Sequence, residues 1–282
     1  MKLVTTALAV LIAASVSASS AGAKPAARAF TTRTAAVGDP QVSSNWSGYA
    51  ASALADGTAT FSDVTASWVQ PKVSCTAGRT DSVAFWVGLG GASEASQSLE
   101  QLGTEADCDG SGAAPTYRAW WEIVPAASVR IPLKLRAGDR VTAAVVVKGE
   151  AVTLFLKNVT RKSRFTKTVT PAQPPDVSSA EWIAEAPSEC NASGFCRGVP
   201  LTQFGTVTFT NAAAIADGHP GTISDPAWTA DPIELIADGG GRRFFGLGDV
   251  LGPGVGAVPG ELSADGRSFS VAWQQNVTPP AP

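Results

Sequence analysis

Residues 179–185, Ser-Ala-Glu-Trp-Ile-Ala-Glu, decide the fold and carry the strongest candidate for chemistry. Trp and Ile favour a pleated, half-buried surface, so this stretch predicts a β-strand whose side chains alternate between two faces. Trp182 shares one face with two alanines, and Glu181 shares the other with Ile183 and Glu185. If Trp182 faces the core, rigid backbone holds Glu181 on the opposite face, as general-base chemistry requires. The alternative is a solvent-facing strand glutamate, which is commoner because Glu is mostly exposed.

The composition indicates an ordered globular protein whose charge does not suggest an electrostatic binding partner. The chain has 282 residues, of which 44% are hydrophobic and 16% charged, and its net charge is -3. A typical globular protein has ~25% charged residues, so the low charge and high hydrophobic content disfavour disorder. The net charge offers no basic footprint for nucleic acid. After loss of a leader, the length fits one all-β domain of ~200–250 residues.

The first 23 residues have the pattern of a secretory signal peptide. Lys2 supplies the positive start, and the apolar run from Leu3 to Ala14 is too short to cross a bilayer comfortably. Residues 24–42 are rich in Ala, Thr and Arg and indicate a linker or short propeptide. We therefore expect a single domain at 43–276, a flexible tail at 277–282, and a secreted, extracellular protein without a membrane anchor.

Four cysteines fit an exported protein. Cys190 and Cys196 bracket a short loop that a disulfide could close, which would leave Cys75 and Cys108 for a second bridge. Four cysteines allow three pairings, and the sequence does not decide among them. A zinc site made of cysteines alone is the alternative, which an oxidising compartment and these spacings disfavour.

Short alternating or aromatic segments, separated by Gly and Pro, run through the rest of the chain. We predict strands at Phe61–Val69, Asp81–Leu89, Ser96–Gly103, Thr116–Val124, Arg140–Lys148, Ala151–Asn158, Arg164–Thr170, Gln203–Thr210, Ile233–Ala237 and Ser268–Trp273. No segment after the leader has a helical stripe of apolar residues. The pattern predicts an all-β fold: a sandwich of two antiparallel sheets, a jelly roll like that of the concanavalin lectins, with a concave cleft. We expect a long surface loop at Asp238–Pro259.

The supply of reactive side chains excludes several classes of hydrolase. His219 is the only histidine, so a zinc protease with two histidine ligands is excluded, and no nucleophile elbow accompanies it for a Ser-His-Asp triad. No Asp-Thr-Gly or Asp-Ser-Gly occurs, so a pepsin-type dyad lacks its signature. We expect no metal and no cofactor. The remaining candidates are carboxyl groups and one amide: Glu100, Gln101, Glu105, Glu122, Glu181 and Glu185.

Six segments resemble, in the same order, motifs of the glutamic peptidases, the eqolisin family of acid endopeptidases. They are Asn45–Gly48 (Asn-Trp-Ser-Gly), Trp86–Leu89 (Trp-Val-Gly-Leu), Leu99–Gly103 (Leu-Glu-Gln-Leu-Gly), Ala119–Glu122 (Ala-Trp-Trp-Glu), Ala180–Ile183 (Ala-Glu-Trp-Ile) and Phe204–Val207 (Phe-Gly-Thr-Val). The similarity extends from about Asn45 to Thr210, with weaker agreement as far as Trp273. Each segment is short, and their number and order make the resemblance specific.

The resemblance implies a sandwich of two long antiparallel sheets, a glutamine–glutamate dyad on the concave face, no metal, and resistance to pepstatin. Carried over by matching motif, the dyad is Gln101 and Glu181. The side chains then expected to line the substrate site are Trp46, Trp86, Trp120, Glu122 and Glu105.

Two positions depart from the fungal members of that family. Those relatives carry an aspartate where this chain has Gly90, and another where it has Glu105. The first change is expected to remove a carboxylate near the site, and the second keeps the charge on a longer arm. The Cys190–Cys196 loop also does not match the fungal disulfide pattern.

Residue chemistry and the resemblance together predict a mechanism. A Glu181 with the ordinary pKa of about 4.3 can be ionised in acid, where a histidine base would be protonated. It would take a proton from a water between it and Gln101, whose N–H would stabilise the oxyanion, and would then protonate the leaving nitrogen. Glu122 is expected to tune Glu181 if the two are close. The expected partners are protein or peptide substrates, with no membrane and no nucleic acid, and the expected state is a monomer.

Two other functions fit a β-sandwich. A retaining glycosidase would use two carboxyl groups ~5–5.5 Å apart, such as Glu122 and Glu181. A non-catalytic carbohydrate-binding module would stack sugar rings on tryptophans such as Trp86, Trp120 and Trp121. Polysaccharide cleavage that does not need Gln101, or binding that survives loss of Glu181, would separate these functions from a peptidase.

Overall fold

All the regular structure that is described in this protein is β-structure. The computed structural model describes residues 36–55, 57–93, 95–190, 196–236, 255–275 and 277, which belong to one compact unit. The strands are β1 (Ala36–Val37), β2 (Gln41–Ser43), β3 (Trp46–Ser52), β4 (Phe61–Val69), β5 (Thr80–Leu89), β6 (Leu99–Asp109), β7 (Thr116–Val124), β8 (Val129–Ile131), β9 (Arg140–Lys148), β10 (Ala151–Asn158), β11 (Ser163–Val169), β12 (Ser179–Glu185), β13 (Ser188–Cys190), β14 (Cys196–Gly198), β15 (Thr206–Ala216), β16 (His219–Gly221), β17 (Thr229–Ile236), β18 (Val255–Pro259) and β19 (Phe269–Gln275).

The strand that carries Glu181, β12, lies in the middle of the first sheet, which we call sheet A. β12 pairs antiparallel with β3 on one side and with β5 on the other. The order across sheet A is β8-β7-β6-β5-β12-β3-β17-β18-β19, with antiparallel neighbours throughout. The short strands β1 and β2 pair parallel with β17. Glu181 is therefore held by backbone that is hydrogen-bonded on both sides.

The second sheet, sheet B, has the order β11-β10-β9-β4-β15-β16 and is also antiparallel. One long strand, β15, belongs to both sheets: Thr206–Phe209 pair with β19 in sheet A, and residues from Thr210 onward pair with β4 in sheet B. The register of β15 against β4 shifts between Thr210 and Ala213, where the strand changes sheets. Such an irregularity lets a strand bend at the edge of a sandwich.

The main core lies between the two sheets and includes Trp182. Alternate residues of β9 and β10 supply aliphatic side chains from sheet B, and Ala180, Trp182 and Ala184 supply the β12 side. Trp182 is fully buried, and its indole N–H donates to the backbone carbonyl of Thr65 on β4, at 2.9 Å. The packed face of β12 is thus the Trp182 face, as the alternation predicts.

The opposite face of sheet A carries a second, smaller hydrophobic cluster. It consists of Trp46, Ala50, Ala84, Trp86, Leu99, Trp120, Ile183 and Ile233. Because β12 packs against this cluster on one face and against the main core on the other, all seven of its residues are buried. The notion of a solvent-facing Glu181 is therefore wrong: Glu181 is buried on the outer face of sheet A.

The structure confirms the predicted all-β sandwich and corrects some element boundaries. β6 continues past the predicted end at Gly103 to Asp109, and Gly103 lies inside the strand, paired with Trp86 on β5 and Trp120 on β7. Part of the expected Asp238–Pro259 loop is strand: Val255–Pro259 forms β18, paired with β17 and β19. His219 is exposed, as expected of a turn residue, and begins the short strand β16.

One of the two disulfides considered from the sequence is present, between Cys75 and Cys108. The backbone of β13 and β14 places Cys190 opposite Cys196. Their side chains lie outside the described part of the chain, so that bridge stays a prediction. The expected leader at 1–23 and most of the linker at 24–42 also lie outside the described residues. Among the described residues, no helix has the length and apolar character to span a bilayer.

Replacing Trp182 with Ala is expected to lower the free energy of unfolding by about 3–5 kcal/mol, the cost of removing a fully buried aromatic side chain. Trp273, half-buried on β19, is the matched control, and its replacement with Ala should cost clearly less. Urea denaturation of both variants measures the difference. Equal losses would contradict the placement of Trp182 between the sheets.

Candidate active site

The sequence-predicted dyad lies in one row of side chains that crosses sheet A. Glu181 on β12 is opposite Gly88 on β5, Gly88 is opposite Gln101 on β6, and Gln101 is opposite Glu122 on β7. Residues that are directly opposite each other in an antiparallel pair project to the same face. Glu181, Gln101 and Glu122 therefore all project from the outer face of sheet A, and the carboxyl and amide groups of the dyad are two strands apart.

Gly88 separates the two members of the dyad and contributes no side chain between them. A Cβ atom at this position would lie 3.0 Å from Leu99 Cδ1, 3.0 Å from Trp86 Cζ3 and 3.3 Å from Gln101 Cβ. A larger residue would therefore crowd the side chains on both sides. The glycine of the Trp-Val-Gly motif adds no side chain of its own between Glu181 and Gln101, where the Leu99 and Trp86 side chains already approach.

The orientation of the Gln101 amide is fixed by Glu122. Gln101 Nε2 donates a hydrogen bond of 2.7 Å to Glu122 Oε2, which leaves the second N–H of that nitrogen for another acceptor. Gln101 Oε1 is buried and has no hydrogen-bond partner among the described residues. Burial raises the pKa of Glu122 to about 7, and the hydrogen bond from Gln101 opposes this rise. The Gln101 amide thus keeps one N–H donor and one oxygen acceptor available to a molecule that binds next to it on this face.

Glu181 is fully buried, and its carboxyl oxygens make no well-formed hydrogen bond among the described residues, although the Ser179 hydroxyl is close enough to act on them. Burial raises the pKa of Glu181 well above its ordinary value, and the carboxylates of Asp176 and Glu100 raise it further, while the Ser179 hydroxyl acts in the opposite direction. The near-normal pKa expected from the sequence is therefore wrong. In acid, this side chain is a protonated carboxylic acid rather than a carboxylate.

A second carboxyl group on β12, Glu185, projects from the same face as Glu181. Its Oε2 accepts a 2.7 Å hydrogen bond from the indole N–H of Trp86, and its Oε1 accepts one of 3.2 Å from Asn45 Nδ2. Burial raises the pKa of Glu185 to about 8, although these hydrogen bonds oppose the rise. Its period-two relation to Glu181 was visible in the sequence, and its hydrogen bonds show that it fixes the Trp86 ring.

Glu105 lies on the same strand as Gln101, four residues further along, and so on the same face. It pairs with Arg118 at 3.2 Å and accepts a hydrogen bond from the Ser82 hydroxyl. Arg118 also pairs with Asp107, at 2.7 Å. Burial and the neighbouring Asp107 raise the pKa of Glu105 to about 8 in spite of the arginine. Glu105 thus lies in a polar cluster of its own, away from the Glu181 row.

Three tryptophans form the apolar part of the face between these polar groups. The rings of Trp46 and Trp86 meet edge to face with centroids 4.9 Å apart. Trp86 and Trp120 belong to one row, because Trp86 is opposite Gly103 and Gly103 is opposite Trp120. The predicted site tryptophans are therefore brought together. Trp121 projects to the other side and packs against the main core.

A cavity of about 640 Å³ opens beside the Glu181 row, on the side away from Gln101. Ala50, the neighbour of Glu181 on β3, forms part of its wall. The remaining lining residues are Gln41, Ser52, Ala53, Leu54, Ala55, Gly57, Ala92, Ser93, Ala95, Ser178, Ser179, Asp231 and Ile233. Ligand sites are usually concave and carry a few placed polar groups. This cavity is lined by small apolar side chains together with polar ones such as Gln41, Ser93 and Asp231.

The expected loss of a carboxylate at Gly90 is compensated from elsewhere in the chain. Gly90 has φ +82°, and a Cβ atom there would lie 2.5 Å from the Cβ of Asp176. The Asp176 side chain thus lies directly over Gly90. Sequence reasoning missed Asp176, since the segment before β12 matches no family motif. Glu100 was also a candidate from the sequence, but it lies on the opposite face of β6 from Gln101.

The other residues of this face that sequence reasoning missed are Asn45, Ser82, Asp107 and Arg118, which hold Glu185 and Glu105. Asn45 opens the Asn-Trp-Ser-Gly motif, but no motif or spacing marks the other three, because their roles depend on cross-strand register. Among the described residues, no group of three or more His, Cys, Asp or Glu side chains is arranged to hold a metal ion.

The raised carboxyl pKa values make stability depend on pH in a specific direction. In the unfolded chain these groups titrate near 4.5, whereas Glu122, Glu105 and Glu185 keep their protons to about 7 or 8 when folded. Between these limits the folded state binds more protons, so the free energy of unfolding falls as pH rises, by up to about 1.4 kcal/mol per pH unit for each group.

Glu185→Gln should therefore flatten the loss of stability between about pH 4.5 and 8, measured by urea denaturation across that range. Glu150→Gln, in the exposed turn between β9 and β10, is the matched control and should leave the slope unchanged. A Glu185→Gln slope equal to that of the unmodified protein would contradict the desolvation of this carboxyl group.

Comparison with known proteins gives a family match and several similar folds. Residues 44–238 match the model of the Peptidase A4 family. A search among curated proteins by sequence found no match.

Among solved structures, the fold is similar to scytalido-glutamic peptidase with a transition state analog inhibitor, at 23% identity and a TM-score of 0.63, over 82% of this chain and 98% of that one. It is similar to SCP-B, a member of the eqolisin family in complex with a tripeptide, at 22% identity and a TM-score of 0.59, over 82% of this chain and 98% of that one. The aspergilloglutamic peptidase from Aspergillus niger aligns at 23% identity and a TM-score of 0.52, over 68% of this chain and 99% of that one.

At these identities the solved structures establish a shared β-sandwich fold, and the family match adds the class of protein. The sequence motifs, the fold and the family model agree along the same part of the chain. Since the matched residues 44–238 make up more than half of the sequence, the chain belongs to the Peptidase A4 family and is a glutamic-type endopeptidase, as its motifs indicated.

Proposed function

We propose that this protein hydrolyses peptide bonds with Glu181 and Gln101 as its catalytic pair. The observation that carries the proposal is the shared row on sheet A, in which Gly88 alone separates the carboxyl group from the amide. Two strand spacings put the two backbones about 10 Å apart, a span that two long side chains can share with a water and a substrate carbonyl group. Gln101 and Glu122 are also neighbours in this row, but their direct 2.7 Å hydrogen bond leaves no room for a water between them.

Because Glu181 is protonated, it acts on the water as a proton donor and a proton acceptor at once. A carboxylic acid donates through its O–H and accepts through its other oxygen. As the water attacks, the accepting oxygen of Glu181 takes a proton from it, and the O–H gives its proton to the substrate carbonyl oxygen. One C–O bond forms and the carbonyl π bond breaks. The product is a neutral tetrahedral diol, and Glu181 is again protonated.

The same group then cleaves the diol. Glu181 gives its proton to the amide nitrogen while one hydroxyl of the diol returns a proton to the other carboxyl oxygen. The C–N bond breaks, which releases a carboxylic acid and an amine. Glu181 ends protonated in both half-reactions, so the mechanism operates throughout the acid range in which the buried carboxyl group keeps its proton. A placed acid–base group typically contributes about 10²–10⁴ in rate.

Gln101 stabilises the charge that develops on the substrate oxygen. One N–H of its amide is held by Glu122, and the other is available to that oxygen. Holding the amide in advance is the condition for such a donor to work, because the enzyme then does not reorganise during the reaction. One donor of this kind is worth about 10²–10³ in rate. Glu122 is thus proposed to position Gln101.

Peptides are the proposed substrates, and acid surroundings outside the cell are the proposed working environment. Trp46, Trp86 and Trp120 supply apolar surface beside the dyad, and the cavity next to Ala50 offers room for a side chain of the substrate. The transition state analog bound by scytalido-glutamic peptidase and the tripeptide bound by SCP-B support a peptide substrate. Export is supported by the apolar leader pattern of residues 1–23.

The glycosidase alternative is disfavoured by the same register. Glu122 and Glu181 are three strands apart, with Gly88 and Gln101 between them, so about 14 Å separates their backbones. A retaining pair needs its carboxyl groups ~5–5.5 Å apart. Glu122 also makes its hydrogen bond to Gln101 rather than facing Glu181. No observation favours this second function.

Glu181→Gln is expected to lower kcat on an unfolded protein or peptide substrate at acid pH by about 10²–10⁴, because Gln cannot exchange protons with water. Gln101→Ala should lower kcat by about 10²–10³ through loss of the oxyanion donor. Glu150→Gln, in an exposed turn, is the matched control and should keep full activity. Full activity in either dyad variant, shown to be folded by its melting temperature, would rule the proposal out.

Gly88→Ala should lower kcat/KM at least tenfold, because a methyl group would lie 3.0–3.3 Å from Trp86, Leu99 and Gln101 and fill the gap in the row. Gly260→Ala is the control, since the nearest atom to its Cβ would be 3.5 Å away. Melting temperatures show whether both variants fold, and a peptide assay gives kcat/KM. A folded Gly88→Ala variant with unchanged kcat/KM would contradict a reaction across this gap.

A further inference from the structure

One carboxylate reaches the edge of the cleft from a segment outside every family motif. Asp176 lies in the connection between β11 and β12, shortly before the Glu181 strand. Its Oδ2 accepts a hydrogen bond from the Ser96 hydroxyl and a longer one, 3.4 Å, from the Gly91 backbone N–H. Its Oδ1 accepts one of 2.9 Å from the Ser178 backbone N–H. Asp176 therefore joins two segments whose bonded residues are 80 and 85 positions apart in sequence.

Both of the segments that Asp176 joins form the wall of the cavity beside Glu181. After β5, the chain turns at Gly90, and residues 92, 93 and 95 of this turn line the cavity. Ser178 and Ser179, which follow Asp176, line it as well. Within the turn, the Gly91 N–H also donates to the Ser96 hydroxyl, at 3.1 Å. The Asp176 carboxylate is thus the common acceptor that holds the two parts of this wall together.

The close approach of Asp176 depends on glycine at position 90. Gly90 has positive φ, and its backbone N–H donates to the Ser179 carbonyl at 3.1 Å. A Cβ atom there would overlap Asp176, at 2.5 Å from its Cβ and 2.8 Å from its Cγ. The acidic side chain that lies over this turn therefore comes from residue 176 rather than from residue 90, and the buried Glu100 carboxyl group hydrogen-bonds the Asp176 backbone beside it.

Asp176 is ionised at pH values at which the neighbouring Glu181 is still protonated. Burial alone would raise the pKa of Asp176, but the hydrogen bonds from Ser96 and Ser178 outweigh burial and hold that pKa below its ordinary value. After burial itself, the charge of Asp176 is the largest influence that raises the pKa of Glu181, followed by Glu100. The other polar or titratable groups around Glu181 are Ser179 and Glu185 on β12, Gln101 on β6, Glu122 on β7 and Asp231 on β17.

We propose that Asp176 is a positioning residue of the active site, which clasps the Gly90–Ser96 turn to the start of the Glu181 strand and keeps a negative charge beside Glu181. The clasp fixes the cavity wall against which substrate binds. The charge adds to burial in keeping the proton on Glu181 that the reaction uses. This inference rests on the proposed function of Glu181, and it adds a residue that acts through Glu181 and through the cavity wall rather than on the substrate.

The test separates these two effects with two variants. Asp176→Asn keeps the size of the side chain and removes its charge, so the fall of kcat/KM at higher pH should move to lower pH by about one unit. Ser96→Ala keeps the carboxyl group and removes one tie to the turn, so KM should rise several-fold while the fall of kcat/KM at higher pH moves less than in Asp176→Asn. Asp63→Asn, on β4 in sheet B, is the matched control and should change neither quantity.

The possible results distinguish this proposal from the proposed function. Coincident pH profiles for a folded, active Asp176→Asn variant and the unmodified protein would overturn the charge effect. A wild-type KM in Ser96→Ala would overturn the clasp, and this variant remains informative if Asp176→Asn does not fold. A fully active Glu181→Gln variant would instead overturn the proposed function itself.

Discussion

The burial of β12 on both of its faces is the constraint on which the rest of the site depends. Trp182 anchors one face in the core between the sheets, and Ile183 joins the tryptophan cluster on the other. Glu181 therefore cannot reach bulk water, and burial of a carboxylate without a partner is costly. The protein avoids that cost by keeping the group protonated. A structural requirement of the sheet thus produces a proton donor and acceptor at a fixed place.

Glycines in the neighbouring strands allow the close packing that shapes the site. Gly48 lets β3 approach β12, since a Cβ atom there would lie 2.0 Å from the Trp182 carbonyl oxygen. Gly103 lies between the Trp86 and Trp120 rings, and its Cβ would be 2.6 Å from that of Trp86. Gly88 keeps the dyad apart without filling the gap. Close packing around sheet A therefore explains Gly48, Gly88 and Gly103 of the family motifs.

The sequence was sufficient for the fold class, the Trp182 face and the pairing of Gln101 with Glu181 on one face, because these follow from alternation and from motifs. It was insufficient for the charge state of Glu181, since burial on the second face comes from residues on other strands. It also gave no sign of Asp176, which reaches Gly90 only through the fold. Features set by one strand could be predicted, and features set by cross-strand register could not.

The protonation state of Glu181 at working pH tests this mechanism most directly. Infrared difference spectra between the unmodified protein and Glu181→Gln, recorded across the acid and neutral range, would isolate the carbonyl band of this one carboxylic acid. If Glu181 acts as a protonated acid, the band persists well above pH 4.5, the ordinary pKa for glutamate, and activity falls as the band disappears. A band that vanishes near pH 4.5 while activity rises would show that an ionised Glu181 is the active form, and would contradict a protonated catalytic acid.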